Sequence, residues 1–427
     1  MAQRLLVKNG RVIDPANGID AEKDVLIEDG RIASVDSHVK ADGAEVLEAK
    51  GRVVVPGFID MHVHLREPGF EYKETIESGT AAAAAGGFTG VACMANTNPV
   101  NDNAAITEYI LRRASEVGKV SVYPIAAITK GLAGKELAET GELIEAGAVA
   151  ISDDGHPVDD PRLMRRALEY STHFGIPIIE HSETPSMHPG GVMHEGYWST
   201  VLGLRGIPGA SEVIAVQRDI ALAEMTGARL HVAHLSTRGA MDAVRNAKAQ
   251  GVRVTCEVTP HHLLLTDEAV REYDPGTKMA PPLRAEEDRQ ALLKGLADGT
   301  VDAIATDHAP HHPDEKTVEF DNAAFGIVGL ETAVSLCLDR LVAGKLISLT
   351  RLIELLAVNP AGILGLQKGT LSVGSDADLT LLDLDKSHIV DPGRFQSKGT
   401  NTPFAGWELR GQAVTTVVGG RVVWKAV

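Results

Sequence analysis

The sequence predicts an α/β protein, a parallel (β/α)₈ TIM barrel carrying a small β-sandwich built from both chain ends. Three observations lead there. Eight apolar, strand-like runs alternate with amphipathic helical stretches through the middle of the chain. The first ~50 and the last ~60 residues read instead as short strands and tight turns. No Gly-x-Gly-x-x-Gly follows the first strand of the alternating region, which disfavours the rival architecture, a doubly wound open sheet.

At the N-terminus, Leu5-Leu6-Val7-Lys8-Asn9-Gly10-Arg11-Val12-Ile13 sets an Asn-Gly turn signal between apolar runs. Val25-Leu26-Ile27-Glu28-Asp29-Gly30-Arg31-Ile32 repeats it with Asp-Gly, so both read as hairpins. The strand-like runs of the middle region are 57–63, 89–94, 120–128, 149–152, 176–179, 230–233, 252–258 and 301–306. Helical patterning lies between them at 103–117, 160–173, 211–226, 237–250 and 286–297. Strand-like segments return at 377–383 and at 414–424, the latter with a Gly419-Gly420 turn. Each β-rich end is too small to bury a core alone. We therefore expect 1–54 and 366–427 to form one composite sandwich domain, and 55–365 to form the catalytic barrel.

Composition narrows the function. The chain has 427 residues, 44% of them hydrophobic but only 4% aromatic, so the core is aliphatic, as buried parallel strands require. A formal net charge of −17 argues against nucleic acid or an anionic membrane as partner. An anionic small substrate then needs a local cationic pocket. Cys93, Cys256 and Cys337 are far apart and form no Cys-x-x-Cys, which fits a reducing compartment. No secretory or membrane-spanning segment is apparent, and the expected location is the cytoplasm.

The chemistry starts at Gly57-Phe58-Ile59-Asp60-Met61-His62-Val63-His64-Leu65-Arg66. Two histidines at i and i+2 share one face of a strand, and imidazole nitrogen suits Zn²⁺ and similar ions. In a barrel the reactive groups gather where strands end. There stand His62 and His64 after strand one, Asp153 and Asp154 after strand four, His181 after strand five, His234 after strand six, and Asp307 and His308 after strand eight. His181 or His234 alone reads more simply as a hydrogen-bonded core histidine. Their joint placement on one mouth favours a site for one or two divalent ions, which would acidify a water molecule. Asp307 would serve as ligand and proton shuttle, and the expected chemistry is hydrolysis of an amide-type bond or its reversal.

With these residues in place, the chain resembles the cyclic amidohydrolases of the metal-dependent amidohydrolase superfamily, and within them the bacterial (class I type) dihydroorotases. The resemblance runs from Val54-Val55-Pro56-Gly57-Phe58-Ile59-Asp60-Met61-His62 to the segment 369–383, nearly the whole chain. It implies a zinc enzyme, with one or two Zn²⁺ per subunit, that interconverts L-dihydroorotate and N-carbamoyl-L-aspartate in pyrimidine biosynthesis. The implied metal ligands are His62, His64, Asp154, His181, His234 and Asp307, and Asp307 is also the implied catalytic acid/base. The implied substrate contacts are His64, Arg66, Asn96, His311, Phe325 and Gly326. Arg66 and Asn96 would hold the substrate carboxylate with His311; a guanidinium forks onto a carboxylate in bidentate geometry.

Hydantoinases and allantoinases, close relatives, bridge their metals with a carboxylated Lys in strand four. Here 148–155 contains no Lys, so by resemblance Asp154 takes the bridge, with Asp153 as the alternative and Lys130 solvated or structural. His308 is expected to support the site or the fold, and His231, His261 and His262 to be structural. One departure stands out: Lys278-Met279-Ala280-Pro281-Pro282-Leu283-Arg284 carries Ala280 where the family usually has Asn. The rival readings are hydrolysis of another cyclic ureide, and a non-catalytic partner of aspartate transcarbamoylase, against which the intact ligand set speaks. Family analogy adds association with that transferase and homo-oligomerisation as expectations. The long charged segment 306–325 beside the site would suit a lid.

Overall fold

The computed structural model describes residues 4–40 and 42–426. Five strands come first: β1 (Arg4–Asp14), β2 (Ile19–Glu28), β3 (Arg31–Asp36), β4 (Glu45–Glu48) and β5 (Val53–Pro56). β1 pairs antiparallel with β2 and β2 with β3, while β4 and β5 run parallel to successive stretches of β1. Asp29-Gly30, with φ of 47° and 78°, makes the expected hairpin turn between β2 and β3. Asn9-Gly10 does not make one, because β1 runs straight through it and its register against β2 shifts between Val7 and Gly10. Asn9 takes φ 62° and donates its N–H to Asp24 at 2.9 Å; a Cβ on Gly10 would fall 2.6 Å from Val54 Cγ2. The dipeptide is a bulge. Both flanking halves of β1 have ladder partners, and that pairing outweighs the local turn preference.

The barrel strands follow near their expected places. They are β6 (Phe58–Val63), β7 (Phe88–Cys93), β8 (Ser121–Ala126), β9 (Ala150–Ile151) and β10 (Pro177–Glu180). After a short parallel ribbon, β11 (Met193–His194) and β12 (Gly206–Ile207), come β13 (Arg229–Val232), β14 (Val254–Val258) and β15 (Ala303–Ile304). From β6 to β15 each barrel strand pairs in parallel with the next. The seam is closed by a parallel bridge between Val63 and His308, with His64 N–H donating to the His308 carbonyl at 2.9 Å.

Ile59, Ala92, Ile125, Ala150, Ile179 and Ala303, from six different barrel strands, join one apolar cluster with Ile363 and Leu364. Only the barrel lumen lets such strands meet, and alanine at several positions lets a narrow barrel fill. The alternate strand residues, including Val91, Leu230, Val232, Val254 and Ile304, face the helices in a second cluster. The helices Ala104–Val117, Pro161–Phe174, Gly209–Thr226, Arg238–Ala249 and Glu286–Ala297 match the periodic stretches. Asn103, Asp160 and Thr237 cap three of them. A further helix, Ile76–Gly86, carries no amphipathic signal, because its alanine-rich stretch is buried between the barrel and the end sheet.

The chain closes with β16 (Leu379–Ile389), β17 (Glu408–Val418) and β18 (Arg421–Lys425). They extend the N-terminal sheet in the order β18-β17-β16-β5-β1-β2-β3, so both chain ends build one mixed sheet around a shared core that includes Val12, Ile27, Val54, Leu379 and Val417. Two threonines fasten it to the barrel: Thr380 donates to the Gly87 carbonyl at 2.6 Å and Thr416 to that of Ala84 at 2.7 Å. Among the described residues no helix is long and apolar enough to cross a membrane.

Candidate metal centre and substrate pocket

β6 delivers His62 and His64 to the barrel mouth, though not by simple alternation. Its register against β7 shifts between Asp60 and Val63, so the backbone is irregular where the two imidazoles come together with ring centroids 5.5 Å apart. Asp60 holds that irregularity, its Oδ1 accepting from His62 N–H at 3.2 Å and from Thr306 N–H at 3.1 Å across the barrel seam.

All six expected ligands are buried, and Asp154 is the hub. Its Oδ1 lies 3.4 Å from His62 Nε2, 3.5 Å from His234 Nε2 and 3.6 Å from His181 Nδ1; its Oδ2 lies 3.5 Å from His64 Nε2. Asp307 Oδ1 lies 3.0 Å from His64 Nε2 and 3.5 Å from His62 Nε2. Ligands on a tetrahedral ion with bonds of ~2.0–2.2 Å are spaced ~3.3–3.6 Å apart, whereas hydrogen bonds are shorter. Most of these spacings suit a shared ion better than direct pairing. His62 Nε2, Asp154 Oδ1 and His234 Nδ1 are buried without a hydrogen-bond partner among the described residues, which a divalent cation would relieve at His62 and Asp154. In two overlapping triads, His62, His64, Asp307 and His62, Asp154, His234, one ligand atom from each residue lies within 4.8 Å of the others. The donor set fits a divalent ion.

Attraction between these carboxylates and imidazoles sets the charge of the cluster. Burial alone would raise the Asp154 carboxyl, but His62, His181 and His234 more than offset it and hold Asp154 well below the usual carboxylate range. Burial likewise opposes ionisation of Asp307, yet His62 and His64 keep it below that range. Burial would neutralise His181, but Asp154 and Glu183 push it up to about 10. The backbone is strained at the same place. Arg66, His234 and Asp307 have positive φ of 63°, 29° and 48°, conformations that cost ~1–3 kcal/mol each in a non-glycine residue. Asp307 lies three residues beyond the end of β15, with its carboxylate 3.0 Å from His64 Nε2.

Asp153 points elsewhere. It accepts from Ile128 N–H at 2.7 Å, from Thr129 N–H at 3.0 Å and from the Thr129 hydroxyl, so it builds the loop after β8. Lys130 pairs with Glu136 at 2.6 Å, in part exposed and apart from the cluster. His308 is buried between Glu74 and the Gly329 N–H, a supporting place. His262 is likewise tied to Thr259 and to the Pro281 carbonyl.

The expected substrate residues form the adjoining wall. Arg66 donates through Nε to the Pro310 carbonyl at 3.2 Å, and its Nη2 lies 3.3 Å from His311 Nε2. His311 Nε2 also lies 2.8 Å from the Phe325 carbonyl and its Nδ1 3.1 Å from Glu315. Burial and the cations of Arg66 and Lys73 push the His311 imidazole down to about 3, against the opposing pull of Glu315. Asn96 Oδ1 accepts from His64 Nδ1 at 2.9 Å, and its amide nitrogen faces Asp154 at 3.5 Å. Gly326, at φ 149°, packs so closely that a Cβ would stand 2.7 Å from the Ala309 carbonyl oxygen and 2.9 Å from His311. Phe325 stacks under Lys278, whose Nζ is 4.6 Å from its ring centroid. Ala280 is half-buried in the segment that carries Lys278.

Lys73 and Glu315 escaped the sequence reading. They pair at 2.8 Å beside His311 and join the loop after β6 to the loop after β15. Glu257 escaped too, although a lone Glu inside Val-Thr-Cys-Glu-Val was a visible signal; a buried strand does not hold a carboxylate without a partner.

Comparison with known proteins agrees with the fold. Residues 51–240 match the family model described as Dihydro-orotase-like, and residues 210–424 match the Amidohydrolase family. A protein named dihydroorotase from Syntrophotalea carbinolica is 57% identical over 422 residues, covering 99% of both chains. One of the same name from Pelotomaculum thermopropionicum is 58% identical over 420 residues, covering 98% of each. Among solved structures, an L-hydantoinase (dihydropyrimidinase) from Arthrobacter aurescens superposes with a TM-score of 0.88 at 29% identity, covering 100% of this chain and 96% of that one. At this identity and coverage, the chain belongs to the dihydroorotase family of amidohydrolases.

Proposed function

We propose that the chain interconverts L-dihydroorotate and N-carbamoyl-L-aspartate, a step of pyrimidine biosynthesis, at the mouth of its barrel. One observation carries the reading: an Arg66–His311 wall that suits a carboxylate adjoins a buried cluster that suits a divalent ion. His62, His64, Asp154, His181, His234 and Asp307 would hold one or two Zn²⁺, and zinc there would polarise the amide carbonyl and acidify water. The protein's own groups supply the rest. Arg66 donates to the substrate carboxylate, with Asn96 and His311 completing the contact and Phe325 and Gly326 walling the ring. Asp307 begins as a carboxylate, takes the proton from the attacking water and passes it to the leaving ring nitrogen as the C–N bond breaks. Ring closure reverses this with Asp307 protonated at the start.

A net charge of −17 does not favour an anionic substrate at long range, so the local cation decides binding. In its wider setting the reading is a cytoplasmic homo-oligomer, with 1–54 and 366–427 as one domain, 55–365 as the other, and aspartate transcarbamoylase as a partner. Sizing of the protein alone and mixed with that transferase tests the assembly.

The reaction is tested by following the ultraviolet absorbance of L-dihydroorotate before and after chelation and Zn²⁺ restoration, with metal content assayed alongside. Turnover lost on chelation and regained with Zn²⁺ is expected. Full metal occupancy without turnover would sink the assignment and point to another cyclic amide.

A further inference from the structure

Glu257 lies on β14 with no exposed surface and no Lys or Arg partner among the described residues. A buried carboxylate without a cation is costly unless its oxygens are fully engaged. Its partners are specific. Oε1 lies 2.7 Å from His62 Nδ1 and accepts the His234 backbone N–H at 3.3 Å, while Oε2 lies 3.2 Å from His231 Nε2. Two of these three contacts fall on residues expected to hold the metal, and they come from β6 and from the turn after β13.

We infer that Glu257 is a positioning residue for the metal centre, fixing the tautomer and orientation of His62 and the backbone turn at His234. The argument rests on the metal reading above. A carboxylate carries no proton to give, so His62 donates from Nδ1, and its Nε2 lone pair is left facing Asp154 and Asp307. His231 in turn donates from Nε2 and accepts at Nδ1 from the Thr255 hydroxyl at 2.8 Å. Glu257 is thereby clamped from both oxygens. His234 takes φ 29°, a turn that needs support, and the hydrogen bond from its N–H to Glu257 supplies it. His231, expected to be structural, acts here as the brace of that carboxylate.

The test compares wild type, Glu257→Gln, Glu257→Ala and His231→Gln for binding of Zn²⁺ and Co²⁺ alone, by competition with a chromophoric chelator. The visible ligand-field spectrum of the Co²⁺ protein and the melting temperature of the metal-free protein are recorded beside it. Glu257→Ala is expected to weaken metal affinity ~10–100-fold and to shift the Co²⁺ spectrum. Glu257→Gln, which keeps an acceptor for His62, is expected to recover part of the affinity. His231→Gln is expected to cost less than either. A folded Glu257→Ala protein with wild-type affinity and spectrum, changed only in metal-free melting temperature, would overturn the inference. If Glu257→Ala does not fold, the near-isosteric Glu257→Gln decides alone, and unchanged affinity and spectrum in it overturn the inference equally. Wild type that binds neither ion would instead refute the metal reading itself.

Discussion

Asp154 and Asp153 are neighbours in sequence and opposites in role. The first meets His62, His181 and His234 through one oxygen and His64 through the other; the second is spent on backbone N–H groups of the neighbouring loop. Metal analysis after dialysis separates them. Asp154→Asn is expected to lose bound metal while staying folded, and Asp153→Asn to keep its metal but lose stability by ~1–3 kcal/mol. Equal metal content in both variants would contradict the assignment. Arg66 gives a second expectation at this scale. Arg66→Met removes a charged hydrogen bond worth ~1.5–3 kcal/mol, so kcat/KM for dihydroorotate should fall ~10–100-fold, mostly through KM. An unchanged KM would show that Arg66 serves only the Pro310 loop.

At the scale of elements, the segment 306–325 is less free than its length suggests. Lys316 donates to the carbonyls of Pro275 at 2.8 Å and Ala324 at 2.7 Å, and Lys278 donates to that of Phe320 at 2.7 Å. Two lysines stitch the loop to the segment after β14, and Gly326 ends it against His311. Gly326→Ala must displace the Ala309 carbonyl or His311, so KM for dihydroorotate should rise and stability should drop by about 1 kcal/mol or more. Unaltered kinetics would mean that the pocket wall yields. Glu331 marks another junction. Its carboxylate accepts from Gln396 and Ser397 N–H groups, and burial raises it to about 7. A folded-state value above the unfolded one favours the fold while the group is protonated. Its contribution is therefore complete below ~4.5 and is lost as the pH rises through about 7. In urea titrations at several pH values, Glu331→Gln should flatten this fall. A parallel pH profile in wild type and variant would assign the effect to other groups.

For the whole molecule, the end sheet and the barrel share a boundary too tight to be a linker. A Cβ on Gly87 would stand 2.6 Å from Ala413 Cβ, and Thr416 and Thr380 bond directly to carbonyls at the end of the helix Ile76–Gly86 and at its cap, Gly87. β5 and β6 are separated by a single residue, Gly57. Such continuity leaves little room for independent motion, so calorimetry should show one unfolding transition. Two resolved transitions would mean that the sheet melts apart from the barrel. Phe58, fully buried at that junction and edge-on to Phe88 at 6.2 Å, should cost ~3–5 kcal/mol when truncated to Ala, lowering the same single transition.

Sequence alone determined the barrel, because eight short apolar runs alternate with longer stretches of helical period that keep one polar face, and this alternation is the pattern of buried parallel strands crossed by helices. It also pointed to which candidate side chains gather, since chemistry-bearing residues stand at or just beyond the ends of those runs at His62, His64, His181, His234 and Asp307. The signal faded where small apolar residues fill a helix, as in Ile76–Gly86, whose run of alanines gives little periodic contrast to read. Tertiary structure alone set Asp153 on the loop after β8 and Asp154 among the histidines, turned Asn9-Gly10 from a hairpin into a bulge, and brought Glu257 beside His62. Each of those outcomes depends on a partner more than ten residues away, on a neighbouring strand or across the barrel. Local spacing records the period of an element, but the partner that claims a carboxylate or continues a ladder is set by which strands lie side by side.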